Sequence, residues 1–248
     1  MRKCIAIGTG SELNRECGKS RNEQGEHEMT ITLDKPITQG TDFQVLLPAS
    51  EFLQALRAAS LCASDDPMRP ILSAVHVKTS ENVVTLTATD SYRLARVEFG
   101  EHGHHSNKIP WQGTNVSRDF VLPGELVKSI TKAFNKSSAA KAVGSALVTY
   151  EGDSVTFEFG GMTLSSTQVT QDFPSLTGVI PDESDYAHEE AGFNPVYLAT
   201  VGKIAAEWPN TSSVPFVIRS MPYNKPAVLT LQGDAGLFTL YLMPVRHK

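Results

Sequence analysis

The sequence predicts an α+β fold in which amphipathic helices lie on one side of antiparallel β-sheets. Short apolar alternating runs, separated by glycine, aspartate and asparagine, are typical of antiparallel strands joined by tight turns. Three longer segments carry apolar residues at helical spacing. Together they form a unit of strand, helix and three strands that recurs three times, at a spacing of about sixty to seventy residues.

Residues 1–42 precede these units and are predicted to form a strand pair around a long polar loop. The second strand of the pair is "MTITLDKPI", in which Met29, Ile31 and Leu33 alternate with polar residues. The stretch between the two strands is charged and contains several glycines, as a solvated loop does.

The first two units are predicted to form one complete domain, residues 43–182, because a single unit has too small a sheet to bury both of its faces. The third unit forms a half-domain over residues 183–248, and the acidic segment 180–192 is the expected linker. A proline stands at or near the first turn of each helix, where a missing N–H costs no hydrogen bond. The predicted apolar faces are Phe52, Leu53, Leu56 and Ala59 in the first helix, Leu126, Val127, Ile130 and Phe134 in the second, and Leu198, Val201, Ala205 and Trp208 in the third.

Composition limits the classes of function. The formal net charge of -5 argues against a protein that coats nucleic acid with its whole surface. Three cysteines, an odd number without zinc-site spacing, predict reduced thiols in an intracellular protein. Since no apolar run is long enough to cross a bilayer, we expect a soluble cytoplasmic protein without a membrane partner.

Basic residues on the helices nevertheless suggest a local anion-binding surface. Lys128, Lys132 and Lys136 follow one another at i, i+4 and i+8, roughly opposite the apolar face of the second helix. Lys203 lies away from the apolar face of the third helix, and Arg57 lies on the flank of the first. On a single helix such lysines are best read as solvated. Their recurrence on helices that share one side of the sheets favours contact with a phosphate backbone. Such binding would not depend on the nucleotide sequence, because no helix offers a set of side chains that could read base edges.

Three separated motifs resemble the bacterial DNA polymerase III beta sliding clamp family. They are "RPILSAVHVKTSENVVTLTATDSYRLARVEF" at 69–99, "TQDFPSLTGVIP" at 170–181 and "YLMPVR" at 241–246. The resemblance implies the DNA-clamp fold, in which helices line the hole of an oligomeric ring that encircles duplex DNA and makes a polymerase processive. It also implies that residues Arg57, Lys128, Lys132, Lys136 and Lys203 face the DNA.

In that family, partner proteins such as the polymerase and the clamp loader insert a short peptide, a glutamine followed by apolar residues, into a cleft. Tyr92 replaces a common histidine of the family and Gly178 replaces a usual arginine. The positions of this chain that match the cleft are Leu72, Thr89, Ser91, Tyr92, Arg93, Leu94, Pro174, Gly178, Val179, Tyr241, Leu242, Met243, Pro244, Val245 and Arg246.

Two other classes of function compete with a clamp. A binding module could keep the peptide cleft without forming a ring, and so sequester or regulate clamp-binding proteins. An enzyme is disfavoured because the sequence shows no paired carboxylates and no Ser-His-Asp constellation. The cluster of His102, His104 and His105 is more consistent with a solvated loop than with a metal site. We therefore expect no catalytic residue, no metal and no cofactor.

Overall fold

The structure, a computed structural model, describes the chain in segments that contain all three predicted units. The described residues are 42–80, 83–100, 117–176, 178–182, 185–186, 191–208, 215–222, 224–233 and 236–245. The strand pair predicted within residues 1–42, the histidine cluster at 102–105 and Arg246 lie outside these segments.

The first two units follow the predicted order of strand, helix and three strands, with one additional short helix in each. The third unit has its helix and three strands, but its described residues contain no leading strand before the helix. The first unit contains β1 (Phe43–Pro48), α1 (Ala49–Ser60), α2 (Pro70–Ser73), β2 (Val75–Thr79), β3 (Val83–Thr89) and β4 (Arg93–Gly100). The second contains β5 (Arg118–Leu122), α3 (Gly124–Ala133), α4 (Lys136–Ala140), β6 (Ser145–Glu151), β7 (Ser154–Phe159) and β8 (Met162–Thr167). The third contains α5 (Pro195–Glu207), β9 (Val217–Arg219), β10 (Ala227–Gly233) and β11 (Gly236–Leu242).

The first two units exchange their leading strands. The four-stranded sheet has the order β1-β6-β7-β8, so the strand that leads the first unit pairs with the second unit. In the seven-stranded sheet, β5-β2-β3-β4-β11-β10-β9, the leading strand of the second unit pairs with the first. Because each sheet needs a strand from the other unit, the two units form a single domain.

The third unit joins this domain through its last strand. β11 pairs with β4 in antiparallel register from Leu237↔Glu98 to Leu242↔Arg93, which makes one sheet continuous across the joint. Gly236 begins β11 with a positive φ of 149°, and a Cβ there would collide with the carbonyl oxygen of Glu98. A glycine is therefore required where the two strands approach most closely.

One hydrophobic core fills the space between the helices and the two sheets. The predicted apolar faces of α1 and α3 are buried in it, apart from Phe134, which is half-buried just beyond the last residue of α3. Pro48 and Pro123 occupy the N-cap positions of α1 and α3, and Pro195 lies in the first turn of α5. The α+β prediction with antiparallel sheets is confirmed.

Two details of the helices differ from expectation. The prediction that Leu198 is buried was wrong: its exposed fraction is 42%, and Thr200, Ile204 and Trp208 carry the buried face of this segment. The lysine stripe of the second helix is also interrupted, because α3 ends at Ala133. Lys136 begins the separate helix α4, whose N-cap Asn135 accepts a hydrogen bond from the Ser138 N–H at 3.0 Å.

Gly202 offers a simple test of the orientation of α5. It lies inside this helix on an exposed position, and nothing lies within 4 Å of a Cβ built there. Gly202→Ala should therefore raise the free energy of unfolding by about 1 kcal/mol, because alanine loses less backbone entropy in a helix. Chemical denaturation measures the change, and destabilisation would show that this face of α5 is covered.

Candidate functional site

The turn between β3 and β4, residues 90–92, is closed by its own side chains. The Asp90 carboxylate accepts hydrogen bonds from the backbone N–H groups of Tyr92 and Arg93, both at 3.0 Å. The Thr89 hydroxyl accepts from the Ser91 N–H at 3.1 Å and donates to the Arg93 carbonyl at 2.8 Å. The turn is therefore a rigid feature of the sheet, although all three of its residues are polar.

Arg93 links this turn to the third unit. Its guanidinium forms an ion pair with Asp90 at 2.8 Å and donates a hydrogen bond to the hydroxyl of Thr200 on α5. It also lies 5.1 Å from the ring centroid of Tyr197, a cation–π distance. The side chains of Arg93 and Asp90 are only 15% and 12% exposed, so the pair is largely removed from water.

Tyr92 extends the same link on both sides. Its ring stacks on Tyr197 with centroids 6.0 Å apart, and its carbonyl accepts a hydrogen bond from the Met243 N–H at 2.9 Å. The turn thus contacts α5 and the segment that follows β11. These contacts, together with the β4–β11 pairing, hold the third unit against the complete domain.

Cys62 is fully buried and close enough to Arg93 and Asp90 to feel their charges. Burial raises the pKa of its thiol to about 12, although the nearby Arg93 charge partly opposes the shift. A thiol with such a pKa stays protonated near neutral pH, and the thiolate is the nucleophilic form. Cys62 is therefore a packing residue.

A second group of side chains gathers on the opposite face of the joint, and we call it the outer cluster. It brings together β4, β10, β11 and the segment after β8. Its buried members are Leu94, Val179, Met221, Val228, Tyr241 and Met243, with Leu176 and Ile180 packed against them.

Four of the predicted cleft residues therefore meet, from three distant parts of the sequence: Leu94, Val179, Tyr241 and Met243. Leu94 lies directly opposite Tyr241 in the β4–β11 register. Because side chains alternate along a strand, the neighbours Arg93 and Leu242 point to the other face. There Leu242 joins the main core and Arg93 contacts Thr200.

The remaining predicted cleft residues lie outside the outer cluster. Leu72, Thr89 and Ser91 are buried within the first unit, and Tyr92 is half-buried. Pro174 is buried and Gly178 is exposed, so these two differ in access to solvent. After β11, Pro244 is buried, and half-buried Val245 donates a hydrogen bond to the Gly192 carbonyl at 2.8 Å.

The sequence analysis missed Met221 and Val228, which complete the outer cluster. Val228 lies within the run "AVLTLQG". The three consecutive apolar residues at the start of this run could have indicated a strand that is covered on both faces. Met221 lies in a loop without periodicity, and no local pattern marks it.

The segment after Val179 is fastened to the third unit by charged and aromatic contacts. Lys225 forms an ion pair with Asp185, and this hydrogen bond is the main cause that holds the Asp185 pKa below its usual value. Arg219 lies 5.6 Å from the ring centroid of Tyr186. Within the cluster, burial raises the pKa of Tyr241, so its phenol stays protonated.

The helical side of the joint carries the predicted DNA-facing residues. Lys128 and Lys132 are exposed on α3 and line a recess of about 310 Å³ between the helices, together with Arg57, Ser60, Leu61, Thr131 and Glu207. Lys128 also forms a 3.2 Å ion pair with Asp65, in which both side chains are largely exposed. Lys203 is exposed on α5.

Arg57 and Lys136 bind protein groups at the same place. The Arg57 guanidinium donates to the carbonyls of Thr131 at 2.6 Å and Phe134 at 2.9 Å, and it pairs with Glu207 at 2.8 Å. The Lys136 ammonium donates to the Ala206 carbonyl near the end of α5. Both cations thus connect neighbouring helices.

In the segments that the structure describes, no group of three or more histidine, cysteine, aspartate or glutamate side chains is arranged to hold a metal ion. No helix in those segments combines the length and apolar character needed to cross a bilayer.

The Ser91 backbone provides a test of the turn geometry. Ser91 has a φ of 82°, a conformation that costs a non-glycine residue about 1 kcal/mol. Ser91→Gly should therefore stabilise the chain by up to about 1 kcal/mol, whereas the β-branched Ser91→Val should destabilise it. Thermal or urea unfolding of both variants measures the difference, and equal stabilities would contradict a strained turn.

Comparisons with known proteins identify the family. The sequence model of the "DNA polymerase III beta subunit, central domain" matches residues 46–175. The beta sliding clamp of Micrococcus luteus is 30% identical over 138 residues, which are 54% of this chain and 39% of that protein. The one from Synechocystis sp. is 29% identical over 140 residues, 55% of this chain and 35% of that protein. The matches thus span well under half of these curated relatives.

Solved structures of the family share the fold. The sliding clamp of Bartonella birtlesii bound to griselimycin aligns with a TM-score of 0.62 at 18% identity, over 87% of this chain and 68% of that one. The DNA polymerase III beta chain of Streptococcus pneumoniae aligns with a TM-score of 0.61 at 15% identity, over 92% of this chain and 74% of that one. With the family match over residues 46–175, this chain belongs to the DNA polymerase III beta subunit family.

Proposed function

We propose that this protein is a sliding-clamp-like processivity factor that encircles duplex DNA as a homo-oligomeric ring in the cytoplasm. In this proposal it binds DNA without sequence choice and tethers a polymerase, and its role is binding rather than catalysis. Residues 43–182 act as a complete clamp domain and residues 183–248 as a half-domain beside it.

The observation that carries the proposal is the sheet that runs without a break from the complete domain into the third unit. The β4–β11 pairing makes this sheet continuous, and α1, α3 and α5 all pack into one hydrophobic core. Lys128, Lys132 and Lys203 project from these helices into solvent. Such a surface supports loose contact with phosphates, and it explains how an acidic chain can bind DNA.

Retention on closed DNA tests the ring. The protein is loaded on a nicked circular plasmid with its polymerase and clamp loader, and complexes are separated by size at a salt concentration that removes simple electrostatic binding. We expect retention on the circle and loss after a restriction enzyme linearises it. Equal retention on both forms would contradict encirclement.

The oligomeric mass separates the ring from the alternative function. Native mass spectrometry should show a closed oligomer if the chain forms a ring. A stable monomer that still captures clamp-binding peptides would instead support a module that sequesters or regulates the partners of clamps.

The outer cluster is the proposed docking site for partner peptides. Leu94, Val179, Tyr241 and Met243 supply an apolar surface where two parts of the molecule meet, and it is closed in the unbound protein because each side chain is at most 7% exposed. The unbranched Met243, which is 7% exposed, can shift its side chain to admit a peptide residue. We place the glutamine and apolar residues of the peptide against this surface, with Arg93 acting as a support behind it.

Met243→Ala should weaken binding of such a peptide by about tenfold, because it removes a central apolar contact. Fluorescence anisotropy with a labelled peptide measures the affinity, and a thermal melt confirms that the variant is folded. Met162→Ala on β8 is the matched control, since Met162 is 39% exposed and lies outside the outer cluster. Unchanged affinity in the Met243 variant would rule out this location.

A further inference from the structure

The third unit exposes surfaces that the first two units bury against each other. In the complete domain, the helix of each unit and the first long strand after it are covered by the other unit. In the third unit, the equivalent elements α5 and β9 carry exposed apolar side chains, which are Val196, Leu198 and Ile218. Exposed apolar residues that cluster on one unit indicate an interaction surface.

The helices show this difference at the fourth residue after the N-cap. That residue is Phe52 in α1, Val127 in α3 and Leu198 in α5. Phe52 and Val127 are buried, and the Phe52 ring stacks on Phe157 of the second unit with centroids 6.1 Å apart. Leu198 has the same place on its helix and is exposed. The residue that a second unit covers in the complete domain is therefore uncovered in the third unit.

The strands show the same difference at their central residues. Val77 of β2 is buried between Leu86 of β3 and Phe120 of β5, the strand that the second unit contributes. Ile218 of β9 lies opposite Leu229, a residue of the main core, so its side chain points to the helix side of the sheet. No described strand pairs with the other edge of β9, and Ile218 is 62% exposed.

The repeat within the chain indicates what covers this surface. In the complete domain, each unit is covered by another unit that supplies both a helix and strands. The first and second units already cover each other, and residues 1–42 are predicted to form strands without a helix. The unit that remains uncovered is the third, so the matching partner is the third unit of a second copy.

We propose that the third units of two copies pair around a two-fold axis, through the exposed apolar side of α5 and the free edge of β9. Such an axis brings each surface against its own copy. Apolar side chains tolerate this arrangement, and α5 has no charged residue before Lys203, so like charges are kept away from its first two turns.

This pairing gives a specific stoichiometry. Two chains then contain three complete domains, one in each chain and one that the two third units share. The inference rests on the proposed assembly of the chain into a homo-oligomer, and it requires an even number of copies in that oligomer. An odd number of chains in the native mass would contradict it.

Cross-linking through an introduced cysteine tests the pairing in the full chain. Leu198→Cys places a thiol on the proposed contact, and a short bismaleimide should join two chains through it. Val143→Cys is the matched control, because Val143 is also exposed but belongs to the second unit, which is already covered. Since paired thiols react at a high effective concentration, we expect at least about tenfold more covalent dimer from Leu198→Cys than from Val143→Cys.

Mapping the linked peptides identifies what lies on the surface. A link between the two introduced thiols of different chains supports the pairing. A link from the introduced thiol to Cys4 or Cys17 of the same chain would assign the surface to the N-terminal segment and overturn the proposal. Equal dimer yields from the two variants would also overturn it.

Retention on DNA separates this inference from the proposed function. If Leu198→Cys gives no excess of dimer but the protein is still retained on circular DNA and lost from linear DNA, the third-unit pairing is wrong and the ring stands. If the dimer forms but circular and linear DNA are retained equally, the pairing stands and encirclement is wrong.

Discussion

Arg93→Met is expected to destabilise the protein by about 3 kcal/mol or more, because it leaves a buried carboxylate without its cation. Asp90 is 12% exposed and would keep only its two backbone N–H donors. The substitution also removes the hydrogen bond to Thr200 and the contact with Tyr197, which join the turn to α5. Urea denaturation measures the free energy of unfolding.

A second variant separates the ion pair from the other contacts of Arg93. Asp90→Asn combined with Arg93→Met removes both charges while the amide oxygen can still accept the two backbone hydrogen bonds. The double variant should therefore be more stable than the sum of the two single changes predicts, by about 1 kcal/mol or more.

Arg69→Met is the matched control for this experiment. Arg69 also pairs with an aspartate three residues away, Asp66, at 3.2 Å, but its side chain is 45% exposed. Exposed ion pairs contribute about 1 kcal/mol or less, so this variant should remain close to the unaltered protein. A similar decrease in the free energy of unfolding for Arg69→Met and Arg93→Met would show that burial does not make the Arg93 ion pair more stabilising than an exposed one.

The role of Arg93 also shows what the sequence could and could not predict about the site. Motif resemblance placed Arg93 and Leu94 in one cleft because both match cleft positions of the family. Strand alternation separates them, since Leu94 enters the outer cluster and Arg93 reaches α5. The face of each residue depends on the register of β4 with β11, which pairs segments more than a hundred residues apart.

The fold itself was largely predictable because it repeats a local pattern. Helices with apolar faces follow a proline, and alternating strands follow each helix, so local signals in each unit agree with the final structure. The exchange of β1 and β5 between sheets was not predicted, because no local pattern specifies which strand a leading strand pairs with.

Long-range contacts also explain why some helix residues differ from the burial that their spacing predicts. Thr200 is buried on α5 although it is polar, because its hydroxyl receives the Arg93 hydrogen bond, and Leu198 is turned outward. Arg57 pairs with Glu207, a residue 150 positions away. Spacing along a single helix gives no information about such partners.

Lys128 and Lys132 are expected to carry a large part of the electrostatic affinity for DNA in the proposed function. Their side chains are exposed on α3 and line the recess between the helices. Each phosphate contact contributes about 0.9 to the slope of log K against log salt. The double variant Lys128→Ala/Lys132→Ala should therefore flatten the slope by up to about 1.8, which corresponds to as much as a sixtyfold loss of affinity at about 0.1 M salt.

The control must change the net charge equally while leaving the helices intact. Lys78→Glu does so, since it also shifts the net charge by two units, and Lys78 is exposed on β2 beside the core residues Val77 and Thr79. Strand alternation places it on the face away from the helices. If DNA contacts this helical side, the control keeps nearly the full slope and the double variant does not. Equal slopes in the two variants would mean that overall charge, rather than this surface, governs DNA binding.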